Sequence, residues 1–112
     1  MNLTINTNID SVNDLWKVDL IGDLDINSSI MLKDRINEIL DEREANIEFE
    51  TSKLSYIDST GLGVMISLLK RLNKFENTMS VVNVQDNILK IFKITGLYKV
   101  IKIYKEGELI EG

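Results

Sequence analysis

Ser59 and Thr60 stand side by side in the stretch Leu54-Ser-Tyr-Ile-Asp-Ser-Thr-Gly-Leu-Gly63, followed by the apolar, helix-periodic run Val64 to Leu72. Two adjacent hydroxyls at such a boundary are placed for acceptor chemistry. The extended segment is expected to end at Asp58 and a helix to begin at Ser59 or Thr60. A hydroxyl there can cap backbone N–H groups that the first helical turn leaves unpaired. The same spot favours added negative charge, because a helix N-terminus carries a partial positive charge. A phosphoryl group on Ser59 would be well placed electrostatically, on an exposed turn open to a kinase. The alternative is that Ser59 only caps the helix; Thr60 reads as the motif's second hydroxyl and helix support rather than as the acceptor.

Other chemistries are narrowed by what the chain lacks. It contains neither cysteine nor histidine. Thiol nucleophiles, disulfides, thiolate metal sites and Ser-His arrangements are therefore excluded. No lysine lies in the Ser59 stretch to act as a base, and the glycine-rich turn lacks the lysine of a phosphate-binding loop. A small nucleotide-binding or hydrolytic enzyme is thus disfavoured, no cofactor or metal is expected, and the chain is not expected to be an enzyme.

Charge narrows the partners. The formal net charge is −5. Residues 1–50 carry 12 acidic and 4 basic side chains, whereas residues 51–112 carry 6 and 9. An acidic excess of this kind argues against nucleic acid, which needs a coherent basic face. The polarity reads either as two unlike solvated surfaces or as a field that steers a protein partner. No run approaches the roughly 18 apolar residues of a membrane span, and Met1-Asn-Leu-Thr-Ile shows no signal-peptide pattern. A cytoplasmic protein without a membrane partner is expected.

The elements that must position Ser59 can be read from periodicity. With 112 residues, 44% of them apolar, one domain with one core is expected across 1–112. Asn2–Asn8 and Leu15–Gly22 alternate, with Trp16, Val18 and Leu20 on one side, and predict a hairpin. Trp16 is expected in the core with its indole N–H satisfied. Asn27 or Ser28 can cap a helix with the stripe Leu32, Ile36, Ile39 and Leu40, ending near Arg43. Residues 46–50 alternate again, the helix after Ser59 runs to about Lys74, and Met79–Val84 forms a strand. Asp86 opens a short helix through Ile94 that Gly96 ends, and Val100–Lys105 closes as a strand. Half-polar strands predict an α/β fold with a mixed, four- to five-stranded sheet and helices mainly on one face. The later strands are expected to pair in parallel.

Three segments together resemble a known family. Leu54-Ser-Tyr-Ile57 with Asp58-Ser-Thr-Gly-Leu-Gly63 is similar to the signature of bacterial anti-sigma factor antagonists, the STAS domain. Gly22-Asp-Leu-Asp25 resembles the family's Gly-Glu-Leu-Asp segment, with aspartate at Asp23 where the family has glutamate. Ile91-Phe-Lys-Ile-Thr-Gly-Leu97 resembles a third family element, and order and spacing agree across nearly the whole chain. The resemblance implies a phosphorylation switch. The unphosphorylated antagonist would bind an anti-sigma factor that is itself a serine kinase carrying ATP or ADP, freeing the sigma factor for transcription. Phosphorylation on Ser59 would end that binding, and a PP2C-type phosphatase would restore it. A STAS scaffold subunit of a larger signalling or transporter assembly is the alternative.

The expected partner-binding set is Asp25, Asp58, Ser59, Thr60, Gly61, Gly63, Val64 and Leu68. Gly61 and Gly63 would let a partner's backbone and nucleotide approach closely. In the helix, Leu62, Met65, Ile66, Leu69 and Leu72 are expected to face the core, leaving Val64 and Leu68 on the contact flank. Val64 and Leu68 can also be read as buried by a neighbouring helix, and Asp25 as a turn or capping residue.

Overall fold

A computed structural model describes residues 2–111. The chain opens with the expected hairpin. β1 (Leu3–Asp10) pairs antiparallel with β2 (Leu15–Leu24) across a tight turn. Then follow α1 (Ser29–Glu42), β3 (Asn46–Ile57), α2 (Ser59–Lys74), β4 (Met79–Val82), α3 (Asp86–Thr95), a 3₁₀ turn (Leu97–Lys99), β5 (Lys102–Lys105) and β6 (Glu108–Leu109). The strands lie in sequence order in one sheet, with β2, β3, β4 and β5 parallel. Each crossover steps the same way along the sheet. Right-handed crossovers of that kind place α1, α2 and α3 on one face.

Burial alternates accordingly. Trp16, Val18 and Leu20 of β2, Ile47 and Phe49 of β3, and Met79 and Val81 of β4 are buried beneath the helices. They pack with Leu32, Ile36, Met65, Leu68, Leu72, Ile88 and Phe92 into one core. The indole N–H of Trp16 donates to the Arg43 carbonyl at 2.9 Å, joining the hairpin to the end of α1.

The sheet has six strands rather than four to five. Glu106 and Gly107 both take positive φ (53° and 82°), and this tight turn returns β6 onto β5. Paired positive φ values mark the two-residue hairpin turns favoured by strand twist. The last parallel strand is shorter than expected, because Leu97–Lys99 form the 3₁₀ turn.

β3 extends well past the alternation visible at 46–50, and two register shifts hide its length. Asp19 pairs with Glu50 but Ile21 with Lys53, so Thr51 and Ser52 lie opposite Leu20 alone. A second shift leaves Ser55 without an opposite number. Each bulge moves the buried face by a residue, and burial passes from Thr51 to Leu54 and then Ile57. On its other side β3 outruns the four-residue β4. There the amides of Gln85 and Asn87 donate to the Ser52 and Ser55 carbonyls, at 2.8 and 3.0 Å. These bonds brace the end of β3 that carries Ser59.

Candidate functional site

The ends of β2 and β3 lie together, with Leu24 opposite Ile57. The β2–α1 turn and the β3–α2 junction therefore meet at the same rim of the sheet. Asp58 joins them. Its backbone is extended (φ −112°, ψ −175°), and its N–H donates to the Leu24 carbonyl at 3.2 Å. One carboxylate oxygen, Oδ1, accepts the Gly61 N–H at 2.9 Å, and Oδ2 accepts the Ile26 N–H at 3.2 Å. Asp58 is thus the N-cap of α2, a role that aspartate fills as well as serine. This corrects the expectation that a hydroxyl of Ser59 or Thr60 caps the helix.

Relieved of capping, Ser59 and Thr60 occupy the first two helical positions. Both are exposed. Among the described residues neither hydroxyl has a hydrogen-bond partner. Ser59 sits where the helix dipole is positive, and the neighbouring Asp58 carboxylate is occupied by backbone donors. The arrangement suits a hydroxyl that receives a group from outside.

The two glycines of the motif differ. Gly61 is buried, and a Cβ built there would lie 2.7 Å from the Leu24 carbonyl oxygen and 2.8 Å from the Leu24 side chain. It lets the first turn of α2 seat against the end of β2, so the space it leaves is taken up within the chain. Gly63 is exposed, with nothing within 4 Å of a Cβ, and fits the expected role of open ground.

Val64 and Leu68 are 8% and 1% exposed and belong to the core. The expectation that they form a contact flank is overturned. The buried arc of α2 comprises Gly61, Val64, Met65, Leu68, Leu69 and Leu72, while Leu62 and Ile66 are only half-buried. The arc is rotated by roughly 70° from the one expected, at about 100° per residue.

Asp25 proves to be a turn residue. Its Oδ1 accepts the N–H of Asn27 at 2.9 Å and that of Ser28 at 3.2 Å. The Ser28 hydroxyl donates to the Asp23 carbonyl at 2.7 Å and accepts the Asp25 N–H at 3.0 Å. Gly22 sets up this turn from the other side. Its φ is +115°, and a Cβ there would collide with the Asn2 carbonyl oxygen, which accepts the Asp23 N–H at 3.0 Å. The Gly22–Asp25 segment therefore shapes the turn that Asp58 ties to the Ser59 junction. Ile26, the residue making that tie, carried no signal in the sequence, since a backbone donor is blind to side-chain type.

Among the described residues no group of three or more acidic side chains is gathered as a metal site. No helix among them is long and apolar enough to cross a membrane.

A parallel sheet with an antiparallel lead-in hairpin, helices on one face and a serine raised at the rim by an aspartate cap defines the class. The family pattern of the STAS domain matches residues 6–108, and the chain belongs to that family. It is 31% identical over 107 residues to the anti-sigma-B factor antagonist of Bacillus subtilis strain 168, covering 93% of this chain and 96% of that protein. The fold is similar to that of an anti-sigma factor antagonist from Mycobacterium paratuberculosis, with a TM-score of 0.80 and 18% identity over 92% of this chain and 86% of that one. It is also similar to the Bacillus cell fate determinant SpoIIAA in its phosphorylated form, with a TM-score of 0.69 and 19% identity over 92% and 93%.

Proposed function

We propose that this protein is an anti-sigma factor antagonist, switched by phosphorylation of Ser59. In the unphosphorylated state it binds a cytoplasmic anti-sigma factor that is also an ATP-dependent serine kinase, and so releases a sigma factor to transcription. The kinase transfers the γ-phosphoryl of ATP to the Ser59 oxygen, ADP leaves, and the complex dissociates. A PP2C-type phosphatase restores the hydroxyl.

One observation carries this reading: Ser59 is exposed at the first position of α2 while Asp58 performs the capping. The hydroxyl can accept a group without unravelling the helix. Full-length likeness to an anti-sigma-B factor antagonist supports the partner class, and the phosphorylated state of SpoIIAA supports the modification. Phosphoserine adds about −1.5 to −2 charges, beside Asp58 on a chain already at −5. Within a contact surface that charge meets desolvation and any acidic groups of the partner. A penalty of about 3–4 kcal/mol weakens binding by two to three orders of magnitude, enough for a switch.

Titration of the serine-kinase anti-sigma factor with variants tests this. Ser59→Ala is expected to fold, resist phosphorylation and bind constitutively. Ser59→Asp is expected to fold and lose affinity by about tenfold or more. Stable binding of an active kinase with no phosphorylation of the wild type would favour the scaffold role instead.

A further inference from the structure

A single hydroxyl on one turn is too small to hold a protein partner, so the ground around Ser59 must supply the adhesion. Two large apolar side chains stand open there. Ile26 is 69% exposed and Ile30 64% exposed, although α1 buries its opposite side through Ser29, Leu32, Ile36, Ile39 and Leu40. Ile26 is fastened to the Ser59 junction by its N–H bond to Asp58.

Helical register brings Ile30 to the same place. Arg71 of α2 donates to Asn37 and Asp41 of α1 at 3.0 and 2.8 Å, which fixes the side of α1 that faces α2. The two helices run in parallel, because both start from the same rim of the parallel ladder β2–β3–β4. Ile30 precedes Asp41 by eleven residues, and Thr60 precedes Arg71 by the same eleven. Eleven residues make three helical turns to within roughly 20°. Ile30 therefore lies on the α2-facing side of α1, level with Thr60.

Gly63 completes the surface. It follows Ser59 by one turn on the exposed side of α2. Its helical backbone needs no glycine, and a side chain there would touch nothing. Glycine inside a helix is nonetheless less favourable than alanine. Nothing among the described residues accounts for it, whereas close approach by another molecule does.

We propose that Ile26 and Ile30 are the apolar anchors of the partner interface. They fill an apolar cleft of the anti-sigma kinase beside the site that handles Ser59, and Gly63 is the bare ground over which the partner's backbone closes. The proposal rests on the antagonist role above. Binding of the ADP-loaded serine-kinase anti-sigma factor that phosphorylates wild-type Ser59 is measured for Ile26→Asp, Ile30→Asp and Ile94→Asp. Ile94 is equally open but lies at the far, C-terminal end of α3. Both anchor positions are exposed, and an acid in the first turn of α1 suits the helix dipole, so the variants are expected to keep the wild-type melting temperature. Ile26→Asp and Ile30→Asp are each expected to bind about tenfold to a hundredfold more weakly, with Ile94→Asp unchanged. Wild-type affinity in both anchor variants overturns the proposal and leaves the antagonist role standing. If no serine-kinase anti-sigma factor binds and phosphorylates the wild type, both are overturned.

Discussion

Asp58 is the side chain on which the presentation of Ser59 depends. Its two oxygens serve two different turns, one capping α2 through Gly61 and the other holding the Ile26 backbone. Asp58→Ala is expected to lower stability by about 1–2 kcal/mol, the usual effect of losing an N-cap, measured by urea unfolding. Asp58→Asn is expected to lose less, because an amide oxygen still accepts the Gly61 N–H while the amide NH2 cannot accept from Ile26. Equal stability of all three proteins would contradict the capping geometry. In the sequence the cap was assigned to a hydroxyl of Ser59 or Thr60, although aspartate caps equally well. The boundary at Asp58 was read correctly, but the capping was given to the hydroxyls that follow it rather than to the carboxylate at the boundary itself. The location of the site was legible; the division of labour inside it was not.

Helix α2 separates its two glycines by function. Gly61→Ala forces a methyl group against the Leu24 carbonyl at 2.7 Å, and the first turn must lift off β2. A loss of about 1–3 kcal/mol is expected, as for other overpacked sites. Gly63→Ala adds a methyl group in open space and is expected to stabilise by up to ~1 kcal/mol from helix propensity alone, while weakening partner binding. Thermal melts of the two variants should shift in opposite directions, and shifts of the same sign would contradict the packing described. Element positions were well marked in the sequence, with α2 falling where expected. The facing of α2 was misread because Leu62 and Ile66 look like core residues by type. They lie on the flank, and the centre of the buried arc falls between Gly61 and Leu72. β3 was seen only in part, because its bulges break the two-residue period on which strand recognition depends.

At the scale of the whole molecule, sequential strand order and one-sided helices leave the other sheet face uncovered and bring every β-to-α turn from β2 to β4 to one rim. The half-polar strands announced this arrangement. β6 was missed because Glu106-Gly107 lacks the Asn-Gly or Asp-Gly signature of its turn type. Ser59 stands on the shared rim, with Ile26 tied to its junction through Asp58, so the proposed recognition and modification would fall on one surface. The measurement that bears most directly on this account is intact-mass and peptide mass spectrometry after incubation with candidate serine-kinase anti-sigma factors and ATP. One added phosphoryl group is expected, mapped to Ser59 and absent in Ser59→Ala. Phosphorylation at Thr60 or elsewhere with Ser59 untouched, or none despite stable binding to an active kinase, would contradict it.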